Sequence, residues 1–215
     1  KRYWLDRVDG IPPAPELPVV AVRKGKPTFD RRRSLVERVL WDRLQERAKG
    51  LGVTPTVLLI GCFAEVLNLW SKSPHFTLNL TLFNRIPFHE DVDRLVGDFT
   101  SLTLLEVDLR EGEGFSERLR GIQQRMWSDL EHKYFSGVEV QRELSRRHGS
   151  PVIMPVVITS TLGLTRAEAG AAGGKVQVDL DEKQKGYSIT QTPQVWIDFQ
   201  VSEGQQGLRF NWDSI

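Results

Sequence analysis

Cysteine is almost missing from this chain: Cys62 is the one thiol in 215 residues. A single cysteine excludes a disulfide framework within the chain and points to a reducing cytoplasm as its location. Its surroundings, "VLLIGCFAEVL", are apolar, so the thiol is expected to be buried. An excess of one charge is missing too. Lys and Arg number 29 against 28 Asp and Glu, and a formal net charge of +1 gives no bulk reason to expect nucleic acid or a membrane surface as partner. No uninterrupted apolar run is long enough to span a bilayer, and the opening "KRYWLDRVDG" does not have the form of a signal peptide. Internal repeats are absent as well. What remains is ordinary globular composition, 40% hydrophobic and 27% charged, on a chain long enough for a sizeable core.

Hydrophobic spacing divides the chain into elements. "IPPAPELPVV" (Ile11 to Val20) is too rich in proline for helix and reads as an extended connector, with Tyr3 and Trp4 ending an element before it. Val36, Leu40, Leu44 and Ala48 fall on one face of a helix running to Lys49 and closed by "GLG". Thr54 followed by Pro55 is a helix start, a hydroxyl cap and then proline at the first helical position. The helix it opens, Thr56 to Trp70, is apolar on most sides and should be central to the core. "HFTLNLTLF" (His75 to Phe83) and "SLTLLEVDL" (Ser101 to Leu109) alternate as strands do, separated by a loop with one short helical turn. Phe115, Leu119, Ile122, Met126 and Leu130 form a helical stripe, and Ser136 to His148 suggests a further helix. "PVIMPVVITS" reads as a buried strand and "AEAGAAGGK" (Ala167 to Lys175) as a flexible loop. Gln191 to Val201 and Gly207 to Trp212 read as the last strands. Helices and strands interleave, which predicts an α/β layer fold.

Several clusters invite a functional reading and do not sustain it. "AGAAGGK" lacks the phosphate-loop spacing and the Ser or Thr that follows its lysine. "RRR" at Arg31 to Arg33 is short and lies near Glu37, as at a solvated strand or helix start. His89, Glu90, Asp91 and Asp93 match no zinc or calcium spacing, and acids ahead of a short helix are expected from its dipole; no metal site is predicted. Asp198 differs. From Val195 onward "VWIDFQV" alternates, so Val195, Ile197, Phe199 and Val201 share one face, and Gln194, Trp196, Asp198 and Gln200 the other. Thr159 and Ser160 end the strand "PVVITS", where a hydroxyl could meet that carboxylate. Such a pair can move a proton at a substrate or serve as a structural hydrogen bond, and the residues alone leave both open.

Five stretches, in order, resemble the C-terminal half of a heterocyclization domain of nonribosomal peptide synthetases: "IPPAPELPV", "TPTVLLIGCFAEVLNLWS", "GDFTSLTLLEVD", "PVVITSTLG" and "ITQTPQVWIDFQV". Together with "LTLFNRIPFHEDVDRLV" they reach across nearly the whole chain. The resemblance implies a chloramphenicol-acetyltransferase-like lobe, a mixed β-sheet packed with helices, in the condensation-domain superfamily. It implies an inter-lobe connector at residues 1–20 and a C-terminal lobe at 21–215, with the N-terminal lobe and a final helix not in this sequence. Such domains join an acyl or aminoacyl thioester to a carrier-bound Cys, Ser or Thr, then cyclise and dehydrate the product to a thiazoline or oxazoline. Phosphopantetheine is then delivered on carrier proteins rather than bound as a resident cofactor. The implied partners are the N-terminal lobe, upstream and downstream peptidyl carrier proteins and an adenylation domain.

The same resemblance assigns Thr159 and Asp198 to cyclodehydration and Ser160, Gln191, Trp196 and Gln200 to the substrate tunnel. Asp93, Asp98 and Ser101 satisfy the pattern D-x-x-x-x-D-x-x-S, the family's signature in its other lobe. The flanking "LFNRIPFHE" and "LTLLEVD" identify the stretch as the family's later "GDFT" motif instead, with Asp98 structural. At Phe199 the family usually has His, but alternation turns residue 199 away from Asp198. The alternatives to a ring-forming enzyme are a docking platform without chemistry and a condensation domain that makes only the linear amide.

Overall fold

The computed structural model describes residues 1–19, 28–110, 114–162, 192 and 194–215. The Ala167–Lys175 loop and Gln191 lie outside the described residues. Six strands form one sheet in the order β1-β6-β5-β4-β2-β3: β1 Asp30–Glu37, β2 His75–Phe83, β3 Thr100–Asp108, β4 Val156–Ser160, β5 Ile197–Gly204 and β6 Gly207–Ser214. β2, β4 and β5 run parallel at its centre, while β1–β6, β5–β6 and β2–β3 pair antiparallel. The helices are α1 Arg2–Arg7, α2 Arg38–Gly50, α3 Pro55–Asn68, α4 Phe115–Glu131 and α5 Gly137–His148. This is the mixed sheet with packed helices that the sequence predicts. Among the described residues no single helix is long and apolar enough to cross a membrane.

Local chemistry sets the helix ends. Thr54 Oγ1 accepts the Val57 N–H at 3.2 Å, with Pro55 at the first position of α3, a cap worth about 1 kcal/mol. Ser136 and Glu139 form a reciprocal capping box at the start of α5. Gly149, at φ 67°, closes α5 in the left-handed conformation. Between β2 and β3, Asp91 opens the short helical turn Val92–Arg94, its backbone carbonyl accepting the Arg94 N–H at 2.9 Å.

One face of the sheet carries the main core. Phe76, Leu78 and Leu80 of β2, Leu105 and Val107 of β3, Ile158 of β4 and Phe199 and Val201 of β5 pack against α2, α3 and α4. The α4 stripe is buried at Leu119, Ile122 and Met126, as its spacing predicts. Phe199 sits in a ring cluster with Phe63 (centroids 4.8 Å apart), Phe210 and Trp212, and so faces away from Asp198. Aromatic packing is what residue 199 contributes here.

Three expectations need correction. Cys62 is exposed, because α3 buries Val57, Ile60, Ala64 and Leu67 toward the sheet and turns Cys62, Val66 and Leu69 outward. In α2 Leu44 and Ala48 pack against the core as expected, but Trp41 is buried where Leu40 is expected, Leu40 is exposed, and Val36 packs from β1 rather than from the helix. Trp41, Leu44 and Ala48 share one helical stripe, and burying the large indole stabilises that face over one through Leu40. The strand expected from Gln191 begins only at Ile197, since Val195 N–H closes a turn on Thr192 O and Gln194 adopts φ 72°.

The opposite face is divided. At its β3 end α1 and α5 build a second core around Trp4, Val8, Leu104, Val140 and Leu144. Tyr3 stacks on His132 at 4.0 Å and donates to Asp129 at 2.7 Å, while Arg7 bridges Asp129 and Glu106. The connector is seated on β2, where Thr77 donates to the carbonyls of Pro12 and Pro13. The β4–β5–β6–β1 part of this face carries polar side chains in register.

Gly207 opens β6 opposite Glu37 of β1, at φ 131°. A Cβ there would stand 2.1 Å from the Val36 carbonyl oxygen and 2.8 Å from the Arg38 nitrogen, both backbone atoms that cannot swing aside. Gly207→Ala should lower the urea midpoint by more than about 1 kcal/mol of stability at unchanged slope. An unchanged midpoint would contradict this close approach.

Candidate active site

Alternation places two rows of residues across the second face. The strand registers align Asn79, Val157, Asp198, Asp213 and Arg31 in one row, and Thr81, Thr159, Gln200, Asn211 and Arg33 in the next. Both rows cross five adjacent strands, so residues distant in sequence become lateral neighbours.

Thr159 and Asp198 meet. Thr159 Oγ1 lies 3.2 Å from Asp198 Oδ1 and 3.0 Å from Thr81 Oγ1. A threonine hydroxyl has one proton to give, so when Thr159 donates to the carboxylate it can accept from Thr81 in turn. Gln200 Nε2 donates to Asp198 Oδ2 at 2.5 Å and lies 3.5 Å from Asp213 Oδ2. Asn211 Nδ2 donates to Gln200 Oε1 at 2.9 Å, which fixes the direction of that amide. Asp213 is held by the Arg31 guanidinium through both its oxygens, with Arg31 Nε at 2.5 Å from Oδ1.

The electrostatics follow from the count of charges. Asp198 is 5% exposed and Asp213 2%, both far from bulk water. Arg31 pairs with Asp213, and among the described residues Asp198 is left with the neutral donors Thr159 and Gln200. Burial therefore pushes the Asp198 carboxyl above its ordinary range. Its two hydrogen bonds and the more distant Arg31 oppose that rise, and the neighbouring Asp213 charge reinforces it. A carboxyl so poised can hold a proton and give it up again nearer neutral pH than a surface Asp.

The remaining predicted residues are distributed differently. Ser160 points to the other face, where its hydroxyl lies 3.3 Å from Thr56 Oγ1. There it lines a cleft of about 440 Å³ with Thr56, Ile60, Met126, Trp127 and Leu162, a cleft that Thr81 also reaches at the end of β2. Trp196 precedes β5, half-buried, its N–H on the Pro155 carbonyl at 2.8 Å. Gln200 belongs to the polar row as described, and Gln191 lies outside the described residues. Asp98 accepts the Thr100 N–H at 2.8 Å, and its bonds from Thr100 hold the carboxyl below its ordinary range. That bond braces the loop entering β3.

Sequence reasoning missed Thr81, Asn211, Asp213 and Arg31. The reading of Arg31 as solvated is overturned, since its side chain is 12% exposed and bonded to Asp213. A signal was present. In "HFTLNLTLF" the polar Thr77, Asn79 and Thr81 share one face, and in "FNWD" Asn211 and Asp213 do.

Because the raised Asp198 binds a proton more readily in the folded than in the unfolded chain, stability must fall as pH rises between the two values. Asp198→Asn removes that titration. The melting temperature of the variant should gain on wild type as pH climbs through and above the ordinary carboxylate range, by about 1.4 kcal/mol per pH unit separating the two values. A difference constant with pH would mean that Asp198 titrates as a solvated carboxylate.

Residues 1–202 match the family described as Condensation domain. Over 213 residues the chain is 39% identical to pyochelin synthetase PchF of Pseudomonas aeruginosa, covering 98% of this chain and 11% of that protein. Phenyloxazoline synthase MbtB of Mycobacterium tuberculosis is 41% identical over 219 residues, 98% of this chain and 15% of its own length. Among solved structures, the EpoB cyclization-docking bidomain of Sorangium cellulosum superposes with a TM-score of 0.82 at 36% identity, covering 99% of this chain and 42% of that one. The chain thus spans a small part of each of these curated relatives. With a family match over residues 1–202 and relatives 39% and 41% identical along nearly its whole length, the chain belongs to the condensation-domain family.

Proposed function

We propose that this chain is part of a heterocyclizing domain of a nonribosomal peptide synthetase, with Thr159 and Asp198 serving the cyclodehydration step. The observation that carries the reading is the Thr159–Asp198 contact at 3.2 Å, made by a buried carboxyl without its own cation among the described residues. The relatives named for cyclization and for an oxazoline support ring formation over a linear amide alone.

The chemistry has two stages. In the first, the amine of a carrier-bound Cys, Ser or Thr attacks a carrier-bound thioester, a C–N bond forms and the carrier thiol leaves. Holding both tethered reactants together supplies most of what this stage needs. In the second, the side-chain sulfur or oxygen attacks the new amide carbonyl carbon, and its proton ends on the former carbonyl oxygen as a hydroxyl. That hydroxyl must take a further proton and depart as water while the nitrogen loses its own, leaving a C=N bond. Asp198 is suited to pass the proton between those two sites, and Thr159, backed by Thr81, holds the carboxyl in place. General acid–base help of this kind is worth roughly 10²–10⁴-fold.

Peptidyl carrier proteins, an adenylation domain and an N-terminal lobe are the partners this reading requires. The phosphopantetheine arm belongs to the carriers and is written here as part of the substrate. Exposed apolar side chains at Phe88, Leu95 and Val96, in the loop between β2 and β3, support a covering partner on that side.

The test is reconstitution of the complete domain with both carriers loaded, with mass spectrometry of the tethered product. A product one water lighter than the linear dipeptide is expected. Asp198→Ala should lower the ratio of ring to linear product by about 10²-fold or more while amide formation persists. Equal loss of both products would remove Asp198 from the ring-forming step.

A further inference from the structure

The reading above employs Thr159 and Asp198 and leaves unexplained why a second carboxylate is buried at the very next strand. Asp198 and Asp213 are register partners across β5 and β6, and Asp213 and Arg31 are register partners across β6 and β1. Like charges directly opposite on paired strands destabilise a sheet. Here the Arg31 guanidinium forks onto both oxygens of Asp213 and offsets that repulsion. Gln200 then spans the two carboxylates, with one amide nitrogen 2.5 Å from Asp198 and 3.5 Å from Asp213, and its own oxygen is pinned by Asn211.

We propose that Arg31 and Asp213 are positioning residues for ring formation, their ion pair anchoring the Gln200 amide that orients the Asp198 carboxyl. Neither touches Asp198 by a hydrogen bond, so both act through Gln200 and through the field at the carboxyl. On the strands around Asp198 the charged groups sharing its face are Arg31, Arg33 and Glu37 on β1 and Arg209 and Asp213 on β6. β4 and the neighbouring stretch of β2 present the uncharged Thr159, Thr81 and Asn79. Of the charged groups, Asp213 and Arg31 are the ones that act on Asp198, with opposite signs. An orienting anchor that is charged, buried and only one strand away sets the pH at which Asp198 can trade its proton.

The inference rests on the ring-forming reading, and its test separates the two. In the complete domain with loaded carriers, the ratio of ring to linear product is followed against pH for wild type, Arg31→Met, Asp213→Asn and Arg31→Lys. Removing the positive charge should move the pH limb that reports Asp198 upward by about one unit or more, and removing the negative charge should move it downward. Arg31→Lys keeps the charge and loses the fork, so its limb should stay with wild type while the ratio falls. This variant and the charge-neutral double variant R31M/D213N, expected to hold the wild-type limb, keep the test decisive if a single variant misfolds. Limbs that do not move, or that move in the same direction, would overturn the proposal, as would an Arg31→Lys limb displaced as far as that of Arg31→Met. Wild type yielding only linear product would bring down the underlying reading, and the proposal with it, before any variant is made.

Discussion

Two carboxylates buried side by side, with the Arg31 guanidinium on one of them, form the constraint around which the polar face is arranged. Removing an ionised group from water costs several kcal/mol unless a counter-charge and hydrogen bonds replace the lost hydration. Arg31 provides both for Asp213, meeting its two oxygens with a planar fork. Among the described residues nothing equivalent pairs with Asp198, which takes one hydrogen bond from a hydroxyl and one from an amide. The amide in turn depends on Asn211, and the hydroxyl on Thr81. Each partner is thus occupied on both sides, and the network is braced from β2 to β1.

That bracing is possible because the other face of the same strands is a dry core. Phe199, Val201 and Ile158 fix the pleat from below, through contacts with α3 and the ring cluster around Phe63. Strand alternation then leaves Asp198, Gln200 and Thr159 no orientation but upward. A one-residue slip of β5 would bury Asp198 among phenylalanines and turn Phe199 onto the polar row, so the aromatic packing of residue 199 enforces the position of residue 198. The parallel pairing of β4 with β5 is what sets Thr159 diagonal to Asp198.

How far the sequence discloses this depends on the range of the signal. Periods of 2 and 3.6 are local, and so β2 was legible to the residue and the starts of α3 and α5 within one position. Thr159 and Asp198 were legible because each ends or occupies a strand with a clear apolar side. Arg31 and Asp213 were not, since 182 residues separate them and no local pattern distinguishes a paired arginine from a solvated one. Cys62 misled for a related reason: an apolar sequence context does not say which side of a helix faces the sheet. Gln194 continues the alternation on paper, yet the turn at Thr192–Val195 takes it out of the strand, and backbone pairing begins only at Trp196, just before β5.

The two stages of the proposed reaction make different demands, and the face is fitted to the second. Amide formation asks chiefly that two tethered reactants be brought together, which a tunnel between lobes can do without any titrating group. Loss of water from a tetrahedral carbon asks for a proton to arrive at oxygen and another to leave nitrogen, at sites bonded to the same atom. A solvated carboxylate, ionised throughout the neutral range, is a poor donor for the first of these transfers, and a carboxyl locked in an ion pair is poorer still. Asp198 is neither: its counter-charge has been given to its neighbour, and its hydrogen bonds come from groups that do not compete for the proton as a base would. In the proposed scheme Asp213 and Arg31 make that condition stable without entering the reaction, which gives the second carboxylate a role.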